Sequence, residues 1–242
     1  MKKHGLMSLA LCLAGAAQAQ AQSQSQSQSQ NLPLSVTVGA KAWSTQWTTF
    51  SYAPTGVGSR VLTQVVAKDK VVLLPVLSVR YKDFVGSISG YQSTRHQFSD
   101  GSSNSRAEFD ANVGYLVLPG MAVTLGYKKV SQKGDYIYKP AGPVVGLSGA
   151  APLGGALSLY GAFGLGRMKT AGSTDPRIVQ FKADYRLSEL GLAYNMAVGN
   201  MPKALAFTAG YRMQVLSSKD ALGSQDGRDL TQGFTFGLVT TF

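Results

Sequence analysis

Cysteine is nearly missing from this chain of 242 residues: the only one is Cys12, close to the amino terminus. Without it the chain has no disulfide framework and no thiolate metal site. Histidine is scarce too, with His4 and His96 alone, so no metal centre and no cofactor site are expected. Runs of basic residues are also lacking. The 23 Lys and Arg exceed the 12 Asp and Glu, for a net charge of +11, but they are scattered singly, and no nucleic-acid partner is expected. Finally, no apolar stretch reads as a membrane-spanning helix. Residues 140–166 carry no charge over 27 residues, yet they hold Pro140, Pro143, Pro152 and eight glycines. That composition breaks helices and favours two strands joined by a tight turn.

The opening "MKKHGLMSLALCLAGAAQAQAQ" has the three parts of an export signal. Lys2 and Lys3 form its positive end, Leu6 to Ala16 its apolar stretch, and "AQA" its cleavage site after Ala19 or Ala21. Cys12 is preceded by Leu11 and followed by more apolar sequence, so it reads as a passive residue of the signal and not as a lipid-acceptor cysteine. Residues 1–21 are therefore expected to be removed. Residues 22–33, with "QSQSQSQSQ", form a Gln/Ser-rich leader that cannot bury apolar surface. Removing Lys2 and Lys3 leaves 21 cations against 12 carboxylates, a net +9. For an exported chain this excess points to anionic lipid headgroups, lipopolysaccharide or small anions as neighbours.

From residue 34 onward the dominant signal is period-two alternation. In "RAEFDANVGYLVL" Phe109, Val113, Tyr115 and Val117 share one face and Arg106, Glu108, Asp110 and Asn112 the other. "ALAFTAGYRMQV", "IVQFKADYRL" and "ALSLYGAFGLG" repeat the pattern, as does the closing "GFTFGLVTTF". Ten strands are expected, near 34–46, 70–82, 84–97, 106–118, 121–131, 143–151, 156–168, 178–198, 204–216 and 231–242. Eight or twelve stay open, because the 178–198 segment is long and its pattern shifts phase around Ser188–Glu189, as at a bulge. Links between strands alternate between long polar segments and tight turns such as "PG" at 119–120. Long loops on one side and short turns on the other suit a transmembrane antiparallel up-and-down β-barrel. The outward phase sets Phe109, Tyr127, Tyr185 and Tyr211 near the long-loop end, as an aromatic girdle requires, with Tyr81, Phe84 and Phe242 at the other rim.

With a signal peptide, alternating strands, alternating link lengths and a terminal aromatic, the chain over 34–242 resembles the bacterial outer-membrane β-barrel proteins. The resemblance implies that Phe234, Phe236, Leu238, Thr240 and Phe242 form a carboxy-terminal signal for the barrel assembly machinery. It also implies a setting of outer-membrane lipids and lipopolysaccharide, with both termini periplasmic.

An enzyme is not expected. His96 is the one histidine beyond the signal, and Ser93 has the opposite parity to it within one strand, so the two would face opposite sides. The inward phase is expected to carry Lys41, Arg80, Lys82, Arg106, Glu108, Asp110, Lys128, Lys182, Asp184, Arg186 and Arg212. These charges either pair across strands, for example Glu108 with Lys128 or Arg106, and fill the lumen, or line a narrow path that prefers anions. At about ten strands the filled lumen is favoured, giving a structural or surface-interaction barrel with a small anion-preferring channel as the alternative. Trp47, in the longest link, is expected to extend the outer girdle.

Overall fold

The computed structural model describes residues 34–54, 60–198, 204–219 and 226–242; the export signal and the leader lie outside them. Ten antiparallel strands form one closed barrel: β1 Leu34–Pro54, β2 Lys70–Tyr81, β3 Phe84–Gln97, β4 Ser103–Leu118, β5 Met121–Lys133, β6 Pro140–Gly154, β7 Leu157–Thr170, β8 Lys182–Ala197, β9 Ala204–Lys219 and β10 Asp226–Thr241. There is no helix among the described residues. Two short strands add to the long-loop end. Arg60–Val66 returns along the upper part of β1, and Ile137–Tyr138 pairs with the end of β5. The longest link of the sequence is thus largely strand, because β1 runs on to Pro54.

Closure comes from β10 pairing with β1, in register from Thr37 opposite Thr241 to Tyr52 opposite Asp226. Beyond it, Val36 and Phe242 exchange two backbone hydrogen bonds, of 3.2 and 2.8 Å. Every second residue of β10 faces out: Phe234, Phe236 and Leu238 are 60%, 59% and 47% exposed, while Thr235, Val239 and Thr241 are buried inside. The same division holds around the wall. Outward positions carry Val113, Leu125, Val145, Leu165 and Leu192, and inward ones Ser35, Thr37, Ser78, Thr124, Ser148 and Thr208. A soluble barrel buries its apolar side; this one displays it, as a wall facing hydrocarbon does.

The short-turn end follows from turn chemistry. Pro119–Gly120 puts proline ahead of a glycine at φ 79°, the order a type II turn favours. Lys82 adopts φ 53°, an uncommon conformation for a side-chain-bearing residue. The wall is not uniform. β2 and β3 pair only from Tyr81–Phe84 to Val76–Ser89; the strands then part and meet again at the Ala67–Phe98 bridge. Pro75 has no N–H to donate there, and a register shift between Tyr91 and Thr94 bends β3.

At the seam, a Cβ on Gly233 would overlap the carbonyl oxygen of Ser44 on β1. Gly233→Ala is expected to destabilise the closed barrel by about 2 kcal/mol through overpacking. The check is the urea midpoint of the refolded barrel, read from its heat-sensitive mobility on cold SDS gels.

Candidate functional site: the charged lumen

Seven charged side chains from five strands meet inside the barrel. Glu108 on β4 accepts from the Arg106 guanidinium, 2.7 Å, and from Lys128 on β5, which also bonds Asp110 at 2.8 Å. The Tyr91 hydroxyl donates to the same carboxylate at 3.2 Å. Across the lumen, Glu189 on β8 accepts from Lys41 of β1, 2.9 Å, and from Arg212 of β9, 3.1 Å. The pairs are almost wholly withdrawn from solvent: the Lys41 and Glu189 side chains are 3% and 0% exposed. Each cation also lies over an aromatic ring: Lys41 over Tyr160, Arg106 over Trp47, Lys128 over Tyr185 and Arg212 over Trp43, at 5.1 to 5.4 Å. Two kinds of partner thus share the desolvation of each charge, since a ring face attracts a cation most strongly away from water. Nearer the long loops, Asp229 accepts from Thr49 at 2.9 Å and Gln132 at 2.6 Å. In this part of the lumen four cations therefore face four carboxylates.

The placement of the residues singled out in the sequence divides in three. Lys41, Arg106, Glu108, Asp110, Lys128 and Arg212 lie in the lumen and meet in the network. Arg80 has the inward phase of β2 at the short-turn end, with its Nε donating to the Lys82 carbonyl at 2.9 Å, while Lys82 itself is exposed in the turn. Lys182, Asp184 and Arg186 are a correction: they are exposed on the outside of β8, and Ala183, Tyr185 and Glu189 point in. The register explains why. β8 pairs with β9 without interruption from Lys182–Lys219 to Ala197–Ala204, so no bulge resets the phase at Ser188–Glu189. What changes along β8 is the polarity of each face. Near the long loops the lumen is packed with Met168, Tyr185 and Leu216, and charge is moved outside. Glu189 was missed for the same reason, and extending the inward phase of Ala193 through an unbroken strand finds it; Asp229 was missed because the last strand, expected from 231, begins at Asp226.

Phe234, Phe236, Leu238, Thr240 and Phe242 share the outward phase along the closing strand. No protein-family model matches the sequence, and no curated protein is similar to it. Solved structures do resemble the fold. The outer-membrane protease OmpT of Escherichia coli superposes with a TM-score of 0.50 at 13% identity, over 86% of this chain and 96% of that one. The outer-membrane protein AlkL gives 0.43 at 11% identity, over 100% and 97%. A FadL homologue of Pseudomonas aeruginosa gives 0.30 at 11%, over 86% and 89%. The chain has the fold of the bacterial outer-membrane β-barrels.

Within this outer-membrane-type barrel the network lies between two small cavities. One of about 210 Å³ opens toward the long loops, lined by Trp47, Gln132, Tyr138 and Asp229. The other, of about 80 Å³, lies toward the short turns beside Ser89, Asp110, Asn112 and Arg212. Trp47 is a second correction. It points inward, 2% exposed, against His96 at 5.5 Å and Phe98 at 4.9 Å. Tyr185 likewise leaves the expected girdle for the lumen. His96 is inward because the shift after Tyr91 changes the parity of β3, and neither ring nitrogen has a hydrogen-bond partner. Nothing orients it as a general base.

Glu108→Gln leaves Arg106 and Lys128 short of a buried carboxylate, and is expected to cost about 3 kcal/mol of barrel stability. The double variant Glu108→Gln/Lys128→Met is expected to lose less than the two single variants together. Urea unfolding in lipid vesicles, followed by tryptophan fluorescence, measures both.

Proposed function

We propose that the protein is an integral outer-membrane barrel, with both termini on the periplasmic side, that acts in a structural or surface-interaction role and not as an open pore or an enzyme. One observation carries this reading: every lumenal cation of the network is held by a carboxylate and an aromatic ring, leaving the cross-section filled and close to neutral. Charges that select ions must meet water and ions; these meet each other. The refolded, detergent-purified barrel is expected to be silent in planar bilayers under a salt gradient, and discrete conductance steps would refute the closed lumen. A reversal potential favouring anions would then support the small porin that the basic composition suggests. Hydrolysis of a lipid or peptide substrate, lost in His96→Ala, would overturn the non-enzymatic reading.

The parting of β2 and β3 favours a second reading, exchange of small apolar molecules through the wall. Between Val76–Ser89 and Ala67–Phe98 the wall carries a cavity of about 720 Å³, lined outside by Leu73, Leu77, Ile88 and Phe109. Behind it pack Trp43, Val72, Leu74 and Tyr91. The lining is mostly apolar, with Ser89, Gln92, Thr94 and Glu108 as its polar members, and its outer part suits a hydrocarbon. Cells expressing the barrel are expected to take up the apolar probe N-phenyl-1-naphthylamine faster than controls, and Leu73→Trp, which fills the cavity, to slow uptake. Equal rates in all three strains would remove this reading.

A further inference from the structure

The correction on β8 raises a physical question. An outward-facing charge is costly in hydrocarbon, yet several cations cluster on one sector of the outer wall at the long-loop end. Lys169 of β7 stands directly opposite Lys182 of β8, and Ala141 of β6 links Lys169 to Lys129 of β5 in the same transverse row. One row lower, Arg167 stands opposite Asp184, which is itself opposite Ser217, and Ser217 is opposite Arg228 of β10. Lys129, Arg167, Lys169, Lys182 and Arg228 are all exposed. The Arg167–Asp184 contact, 3.5 Å with side chains 91% and 62% exposed, is loose and leaves the guanidinium open to other anions.

Two further features converge here. A groove of about 1020 Å³ runs along this row, lined by Arg167, Lys169, Lys182 and Arg228 together with Tyr127 and Pro143, and also by Asp184 and Asp226. Below it the outer face of β5, β6 and β7 turns apolar at once: Leu165 of β7 and Val145 of β6 are opposite each other, and Leu125 is opposite Val145, while on β8 the exposed Arg186 stands opposite Leu165 and continues the basic edge. Cations therefore sit above an apolar strip, the inverse of an amphiphile with phosphates at its head and chains beneath. Elsewhere the wall differs: β2 keeps Val71 and Leu73 outward, 66% and 64% exposed.

We propose that this basic sector of β5, β7, β8 and β10 is a binding site for the phosphate groups of an outer-leaflet phosphoglycolipid, the lipid A part of lipopolysaccharide. Lys169 and Lys182, facing each other across one strand pair, hold one phosphate between them, and Arg167 and Arg228 offer planar donors to a second. The acyl chains lie on Leu165, Val145 and Leu125. At the headgroup level these cations meet their counter-ions; at the bilayer midplane they would be strongly disfavoured. The site rests on the outer-membrane reading of the barrel. Failure of that reading shows separately, as a chain that stays soluble without detergent.

The test is binding of diphosphoryl lipid A to the refolded full barrel, by native mass spectrometry from detergent, against three controls: dephosphorylated lipid A, phosphatidylglycerol and inorganic phosphate. Retention of diphosphoryl lipid A is expected to exceed each control at least tenfold. Lys169→Gln/Lys182→Gln is expected to lose about tenfold in that binding while keeping its heat-sensitive gel mobility. Equal retention of the dephosphorylated lipid, or an unchanged affinity in the folded double variant, overturns the site. Equal binding of phosphatidylglycerol overturns its specificity for the glycolipid, and equal occupancy by inorganic phosphate reduces it to a simple anion site.

Discussion

Backbone groups in an apolar surrounding must find partners within the protein, and a sheet meets that condition only by closing on itself. In this barrel the requirement falls on the seam between the first and last strands, where the register runs from Thr37–Thr241 up to Tyr52–Asp226. The constraint reaches into the side chains. Closing the sheet fixes which residue of each strand faces in, and so decides that Lys41 of the first strand meets Glu189 of the eighth across the lumen. Ion pairs that join residues 148 apart in sequence have no local reason to form. They are products of closure, and they in turn tie opposite walls together.

The lumenal network shows how a basic chain builds a neutral interior. Composition gives an excess of positive charge, and strand phase alone leaves open whether the inward part of it pairs across strands or lines a path for anions. In the fold, the cations of the lumenal network are matched by inward carboxylates and backed by rings, and most of the surplus is carried on the outer wall and rim. Desolvation makes that division favourable: an unpaired cation is tolerable where water and headgroups reach it and costly where a tryptophan and a leucine surround it. Glu108 and Glu189 are the pivots, each accepting from two cations.

Ten strands, their order and nearly all their phases were legible in the sequence, because period-two alternation persists wherever one face meets hydrocarbon and the other a polar interior. Val113 and Asp110 on β4, or Phe236 and Thr235 on β10, advertise their sides by residue type. The top of β8 did not, for a physical reason: above the hydrocarbon the outside becomes polar and the lumen is plugged with Tyr185 and Met168, so the meaning of the pattern reverses while the strand runs straight. The apparent bulge at Ser188–Glu189 is this change of surroundings. At β3 the opposite holds, and a true shift after Tyr91 carries His96 inward against the parity of the strand. Pattern reports environment, and it reports geometry only where the environment is constant.

These two irregular places lie on different sectors of the wall, and their chemistry is complementary. On β2 and β3 the ladder opens in an apolar stretch, where Pro75 lacks a donor and Trp43, Val72, Leu74 and Tyr91 back the gap from within. On β7 and β8 the ladder is unbroken, and the outer surface turns basic at the rim. A wall that only sealed a lumen would need neither. The charged network fills the lumen, whereas both of these sectors lie on the outer wall. What distinguishes this barrel from a plain cylinder is therefore concentrated on its outer wall, at two places: an apolar cleft between β2 and β3 and a cationic row at the long-loop end.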